Sequence, residues 1–204
     1  MFFSFDGIDG VGKSTQIDLF CQWMRAQGRT VTQCRDPGST PLGERIRDLL
    51  LTHDDSVSIH RRSEMLLYMA ARAQLVEEII RPALDRGEVV ISDRYLLANI
   101  VYQGHAGQLP LEQVRTVGQV TIDGVAPDAV FVLDMSVGAA DARMARELDR
   151  MEEQGAEFRR RLREGYLAEA AVDPAIHVID ASRSIDEVHE SIADIAAKLV
   201  SSRE

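Results

Sequence analysis

The sequence predicts an α/β fold in which a five-stranded parallel sheet is flanked by helices on both faces. Three observations predict it. Short apolar runs of β type alternate with longer helical patterns along the whole chain. The first run, Met1-Phe2-Phe3-Ser4-Phe5, leads into a glycine-rich turn and then a helical pattern. Gly28 and Gly87 follow helices and precede strands, as glycines of αβ loops do.

Taken in order, the β-type runs are Phe2 to Asp6, Thr30 to Cys34, Val89 to Asp93, Ala129 to Asp134 and His177 to Asp180. Helical spacing falls on Lys13 to Gln27, Leu42 to Leu51, Ile59 to Arg86, Leu111 to Ile122, Val137 to Glu147, Gly155 to Ala171 and Ile185 to Val200. No internal repeat, low-complexity tract or linker interrupts them, so residues 1–204 are expected to form a single domain. A length of 204 residues suits one domain with a sizeable core.

Hydrophobic content of 45% and charged content of 27% are those of an ordinary globular protein. The net charge of −10 argues against nucleic acid and anionic membranes as partners. A site for an anionic ligand must then be built locally, from backbone dipoles and a few arginines. The chain opens in a strand-like run rather than a basic segment with an apolar core, so no signal peptide is read. No apolar run approaches the roughly 18 to 20 residues that span a bilayer. Cys21 and Cys34 fall in no metal-ligand or C-x-x-C spacing and read as buried free thiols, consistent with a reducing, cytoplasmic setting.

Gly7-Ile8-Asp9-Gly10-Val11-Gly12-Lys13-Ser14-Thr15 fits the phosphate-binding pattern G-x-x-x-x-G-K-[ST], with a strand before it and a helix after it. Its glycines let consecutive backbone N–H groups turn inward around a polyphosphate. Lys13 would reach the outer phosphates, the Ser14 hydroxyl would hold a magnesium ion, and the helix beginning near Lys13 points its positive end at the same charges. Lys13 and Lys198 are the only lysines, so a compact ammonium stands at this position in a chain that otherwise uses arginine.

Ligands of open parallel sheets sit outside the carboxyl ends of the strands. Those ends carry Asp6 with the glycine loop, Arg35 and Asp36, Asp93 and Arg94, and Asp134, the last read as a cap of the following helix. Asp93, closing Val89-Val90-Ile91-Ser92, is placed to hold magnesium through water, and Arg94 to fork onto a phosphate. Tyr68 and Arg72, four apart on a predicted helix, share one face. There a ring can stack on a planar base while a guanidinium donates to a carbonyl at its edge; the alternative is a core tyrosine with a surface arginine. Asp9 is electrostatically awkward inside a phosphate loop, which suggests that it faces elsewhere. The basic run Arg159 to Arg163, interleaved with acids, reads as a solvated helix face.

These segments together resemble the thymidylate kinases: the loop Gly7 to Thr15, Arg35-Asp36-Pro37-Gly38-Ser39-Thr40, Leu67 to Arg72, Asp93-Arg94-Tyr95, Tyr102-Gln103-Gly104 and Arg146 to Glu152, in the family's order. The resemblance implies a three-layer P-loop NTPase-type fold and phosphoryl transfer from ATP to dTMP, with Mg2+, giving dTDP and ADP for dTTP synthesis. It implies base stacking at Tyr68, thymine O4 recognition at Arg72, the acceptor sugar hydroxyl at Asp9, the acceptor phosphate at Arg94, and crowding of the 2′ position by Tyr102. Asn99 and Gln103 could hydrogen-bond the base. A lid of about residues 143–152 would deliver Arg143, Arg146 and Arg150 to the transferred phosphoryl group, because the loop itself has Gly10 and no arginine. A homodimer is implied as well, with the long helix from Ile59 as its candidate interface.

Some positions depart from the family pattern. Ser39 stands where a second glycine is common, Asp36 where glutamate is usual, Tyr68 where phenylalanine is usual and Ala98 where serine is frequent, and the lid is about two residues shorter than in many bacterial relatives. Two alternatives stay open: another P-loop nucleoside monophosphate kinase with a different base preference, and a P-loop regulatory NTPase. A guanine-specifying Asn-Lys-x-Asp is absent, since the single asparagine, Asn99, precedes Ile100.

Overall fold

The computed structural model describes residues 1–52, 56–144 and 155–201. Five strands, β1 (Phe2–Asp6), β2 (Val31–Arg35), β3 (Val89–Asp93), β4 (Ala129–Asp134) and β5 (Ile176–Asp180), form one sheet in the order β2-β3-β1-β4-β5. Every neighbouring pair is parallel. The second strand is displaced by one residue from the run expected at Thr30 to Cys34, and the fifth begins one residue earlier than the run expected at His177 to Asp180 and ends with it.

β1 is buried along its whole length, which is why its sequence is nearly continuously apolar. Alternation sends Phe3 and Phe5 to one face, where they meet Phe20 and Phe131, and Phe2 to the other, edge-on to Tyr95 at 4.9 Å between centroids. Two hydrophobic layers therefore lie on either side of one sheet. Register brings Phe5 opposite Asp93, and Asp93 opposite Arg35, so the carboxyl ends of β1, β2 and β3 finish level. The chain order reverses across β1, and the crevice opens there.

Helix α1 (Lys13–Ala26) follows the loop, and α2 (Pro41–Leu51) begins with Pro41 at its first turn and the Thr40 hydroxyl accepting from Gly43 N at 2.9 Å. The helix expected over Ile59 to Arg86 is α3 (Arg61–Leu75), a π segment at Val76–Ile80 and α4 (Arg81–Asp85) in succession. α5 (Leu96–Asn99) and a second π segment, Ile100–Ala106, were not anticipated by periodicity. Their residues are buried almost throughout, so no polar stripe marks a helical face, and π winding departs from the 3.6-residue repeat. α6 (Leu111–Ile122), α7 (Val137–Arg143), α8 (Ala156–Ala170) and α9 (Ile185–Ser201) complete the fold. The part of the helix expected beyond Met144, to Glu147, lies outside the described residues.

Two sequence expectations are corrected. Asp134 caps nothing: Ser136 Oγ accepts from Ala139 N at the start of α7, while Asp134 takes a two-pronged ion pair from Arg163 at 2.7 and 2.8 Å. The run Arg159 to Arg163 is not a uniformly solvated face either. Arg160 is exposed and pairs with Glu157 and Glu164, but Arg159 is only 6% exposed. Both thiols are buried and unpaired as expected, and no helix among the described residues is long and apolar enough to cross a membrane.

Candidate active site

The loop after β1 is wound so that its carbonyls are tied from behind. Lys13 Nζ donates to Gly7 O at 3.1 Å and Ile8 O at 2.9 Å, Arg94 Nη1 donates to Gly7 O at 3.1 Å, and Arg159 Nη2 donates to Asp9 O at 3.0 Å. Gly10, at φ +89°, presses on α7: a Cβ there would stand 2.3 Å from Ala140 O, so only glycine fits. α1 then starts at Lys13 with no acid in its first turn, leaving its positive end open to an anion. Burial, with Arg94 next, pulls the Lys13 ammonium below its usual range against Asp9, Asp93 and Asp6.

A cleft of about 1080 Å³ opens in front of this loop. Residues Asp9 to Thr15 line one wall, and Tyr68, Arg72, Asp93, Arg94, Asn99, Tyr102 and Gln103 line the other. Asp9 reaches from the loop to the opposite wall while its Oδ1 stays 3.5 Å from Lys13 Nζ. Its Oδ1 accepts from Arg94 Nη2 at 2.7 Å and its Oδ2 from Tyr102 OH at 3.1 Å. Burial would raise this carboxyl, yet Arg94 and Lys13 outweigh it and hold Asp9 well below the usual range. Arg94 adopts a left-handed φ of +66°, uncommon outside glycine and typical of residues a site constrains. It also donates to Tyr166 OH at 3.1 Å and lies over the Tyr102 ring at 5.0 Å.

Deeper in the cleft, Arg72 is 1% exposed rather than the surface arginine of the simpler alternative. Its Nε pairs with Asp36 Oδ2, its Nη2 donates to Tyr95 O at 3.2 Å, and its guanidinium lies over the Tyr95 ring. Burial pushes the Asp36 carboxyl up and Arg72 opposes it. Asn99 donates to Gln103 at 2.7 Å, and Gln103 donates to Glu64 at 3.1 Å, so the two amides form one buried relay. Asp36 Oδ1, Asp93 Oδ1 and Asp6 Oδ2 are buried acceptors with no partner among the described residues. Burial, opposed by Arg94 and Lys13, raises Asp6 to about 7.

Of the residues singled out in the sequence, Gly7 and Ile8 form the back of the loop rather than its lining, and Arg143 reaches the cleft with Nη1 on Ala181 O at 3.3 Å. Arg146 and Arg150, and with them most of the segment 143–152, lie outside the described residues. Arg47, Tyr166 and a patch of Ala181, Arg183, Ile185 and Val188 around the start of α9 were missed. A helix-borne tyrosine and a mixed apolar patch carry no local signature; Asp180, closing β5 just before that patch, was the one available sign.

The sequence profile of the thymidylate kinases matches residues 5–192. The chain is 46% identical to the thymidylate kinase of Bifidobacterium longum subsp. infantis over 98% of this chain and 87% of that one. It is 42% identical to the thymidylate kinase of Thermosipho africanus, over 97% and 98%. In three dimensions it is similar to the crystal structure of thymidylate kinase from Ehrlichia chaffeensis, with a TM-score of 0.77 at 30% identity, covering 97% of this chain and 98% of that one.

Proposed function

This chain belongs to the thymidylate kinase family, and from that premise we propose which of its residues move the phosphoryl group. The reaction is the ATP-dependent phosphorylation of dTMP to dTDP. The observation that carries the assignment of roles is the Asp9–Arg94–Tyr102 junction, where a carboxylate from the phosphate loop is clamped by two side chains of the opposite wall. It makes the donor and acceptor halves of the cleft neighbours, which an in-line transfer requires.

On the donor side, the amides of residues 10–15 and Lys13 receive the phosphates of ATP. On the acceptor side, Tyr68 stacks on the thymine ring, Arg72 donates to its O4, and Asn99 and Gln103 address its edge. Asp9 accepts from the sugar hydroxyl, Tyr102 crowds the 2′ position, and Arg94 holds the acceptor phosphate. Arg143, Arg146 and Arg150 supply positive charge to the group in transit, an effect worth about 10³ to 10⁵ in rate where arginines do this elsewhere. Ser14 and Asp93 would hold Mg2+. Asp93 Oδ1, without a partner among the described residues, fits, and one hydroxyl with one carboxylate is the sparse set used by a magnesium ion that keeps phosphate and water ligands. Such an ion neutralises phosphate charge when bound.

The single sheet with a hydrophobic layer on each face supports one domain over 1–204; most of the proposed lid segment, about 143–152, lies outside the described residues. A homodimer is supported by exposed Leu42 and Leu49 on α2 and Leu66 on α3, apolar side chains on two packed helices. Buried unpaired Cys21 and Cys34 support a cytoplasmic setting. The test of the substrate is a coupled assay with ATP, Mg2+ and a panel of monophosphates. Preferred turnover of dTMP is expected; comparable or better turnover of UMP, CMP or AMP would overturn the base assignment.

A further inference from the structure

Arg159 opens the basic run on α8, yet it lies inside the protein and gathers groups from two other elements. Its Nη2 donates to Asp9 O in the phosphate loop at 3.0 Å and stands 2.9 Å from Asp141 Oδ1 on α7. Its Nη1 reaches Met144 Sδ at 3.7 Å, and its buried Nε–H has no partner among the described residues. A charged group taken out of water is costly, and an apolar side chain of similar volume would pack there at less cost. The charge therefore calls for a role other than filling space.

Peptide planarity supplies one. The Asp9 carbonyl and the Gly10 N–H leave opposite edges of a single rigid trans unit. A guanidinium holding that carbonyl from behind turns the amide of Gly10 toward the cleft that Gly10 lines. Lys13 ties the two preceding carbonyls, Gly7 and Ile8, but not this one. The Asp9 side chain is held apart from its carbonyl, by Arg94 and Tyr102 on the acceptor side, with Lys13 Nζ 3.5 Å from its Oδ1. We propose that Arg159 is a positioning residue for the donor nucleotide: by anchoring the Asp9 carbonyl, it aims the Gly10 amide at the phosphates of ATP while leaving acceptor binding to other residues. This rests on the kinase reading above.

The test uses the full chain, with ATP and dTMP titrated separately in steady-state assays and thermal unfolding followed in parallel. R159M keeps the volume and removes the charge. It should lower kcat/KM for ATP by about tenfold, the worth of one hydrogen bond from a charged donor, while KM for dTMP changes by less than about threefold. R159K, which can still donate to Asp9 O, should recover at least about half of that loss on a logarithmic scale. D141N, which leaves the Asp9 contact in place, should stay within about threefold of the parent. A parent-like kcat/KM for ATP in R159M, equal losses for both nucleotides, or R159K no better than R159M would each overturn the proposal. Should R159M fail to fold, R159K alone decides, since a dTMP KM raised as much as that for ATP contradicts a donor-side role. A parent that forms no dTDP would sink the kinase reading itself, an outcome distinct from an active parent whose variants are unaffected.

Discussion

Arg72 Nε lies 2.5 Å from Asp36 Oδ2, and both side chains are at most 2% exposed. The pair holds the guanidinium in one orientation in the cleft, so the proposed contact of Arg72 with the base would depend on a residue that need not touch the base. Removing one partner strands a buried charge, which typically costs about 3–5 kcal/mol. Asp36→Ala should therefore lower stability by roughly that amount in chemical denaturation. A loss below about 1 kcal/mol would show the pair to be dispensable.

Arg72→Ala should weaken dTMP binding more than ATP binding. Calorimetric titration of the two nucleotides checks this, and equal losses would remove Arg72 from the acceptor pocket.

Lys13→Ala should leave the fold intact and lower kcat by at least about 10², because the ammonium counts most when charge builds on the transferred group. The same circular dichroism spectrum with an unchanged kcat would contradict that role.

Tyr102→Ala should relax the choice of sugar. Turnover of the ribose counterpart of dTMP, relative to dTMP, is expected to rise by about tenfold, a steric discrimination of about 1–3 kcal/mol being within the reach of one side chain. An unchanged ratio would place 2′ selection elsewhere.

Asp9 makes acid stability measurable. Its folded-state carboxyl is held below the unfolded value by Arg94 and Lys13, so the unfolded chain binds a proton first as pH falls. The stabilisation is fully present above about pH 5 and is lost as pH drops through the folded value. The gap in Tm between the parent and Asp9→Asn should shrink from pH 5 toward pH 3; parallel curves would mean that the pairing contributes no stability.

Most of the scaffold was legible because strands buried on both faces announce themselves as apolar runs closed by charge. Val89 to Asp93 and Leu111 to Ile122 fall where the pattern puts them. Leu96 to Ala106 did not, because burial on all sides and π winding erase the stripe by which a helix is recognised. The cleft itself was largely readable, since its chemistry sits at strand ends and in one short loop. Arg159 was not. Its sequence neighbours are those of a solvated helix, and only the packing of α8 against the phosphate loop distinguishes it from Arg160 one position later. The patch from Ala181 to Val188 escaped for a related reason: small and apolar side chains become a wall only when the sheet delivers them opposite Arg143.

The 2.3 Å separating Ala140 O from the point where a side chain would begin at Gly10 also bears on redesign. A cation transplanted into the loop at that position would have to displace the backbone of α7 before reaching any substrate. Grafting the charge there thus means rebuilding the neighbouring helix.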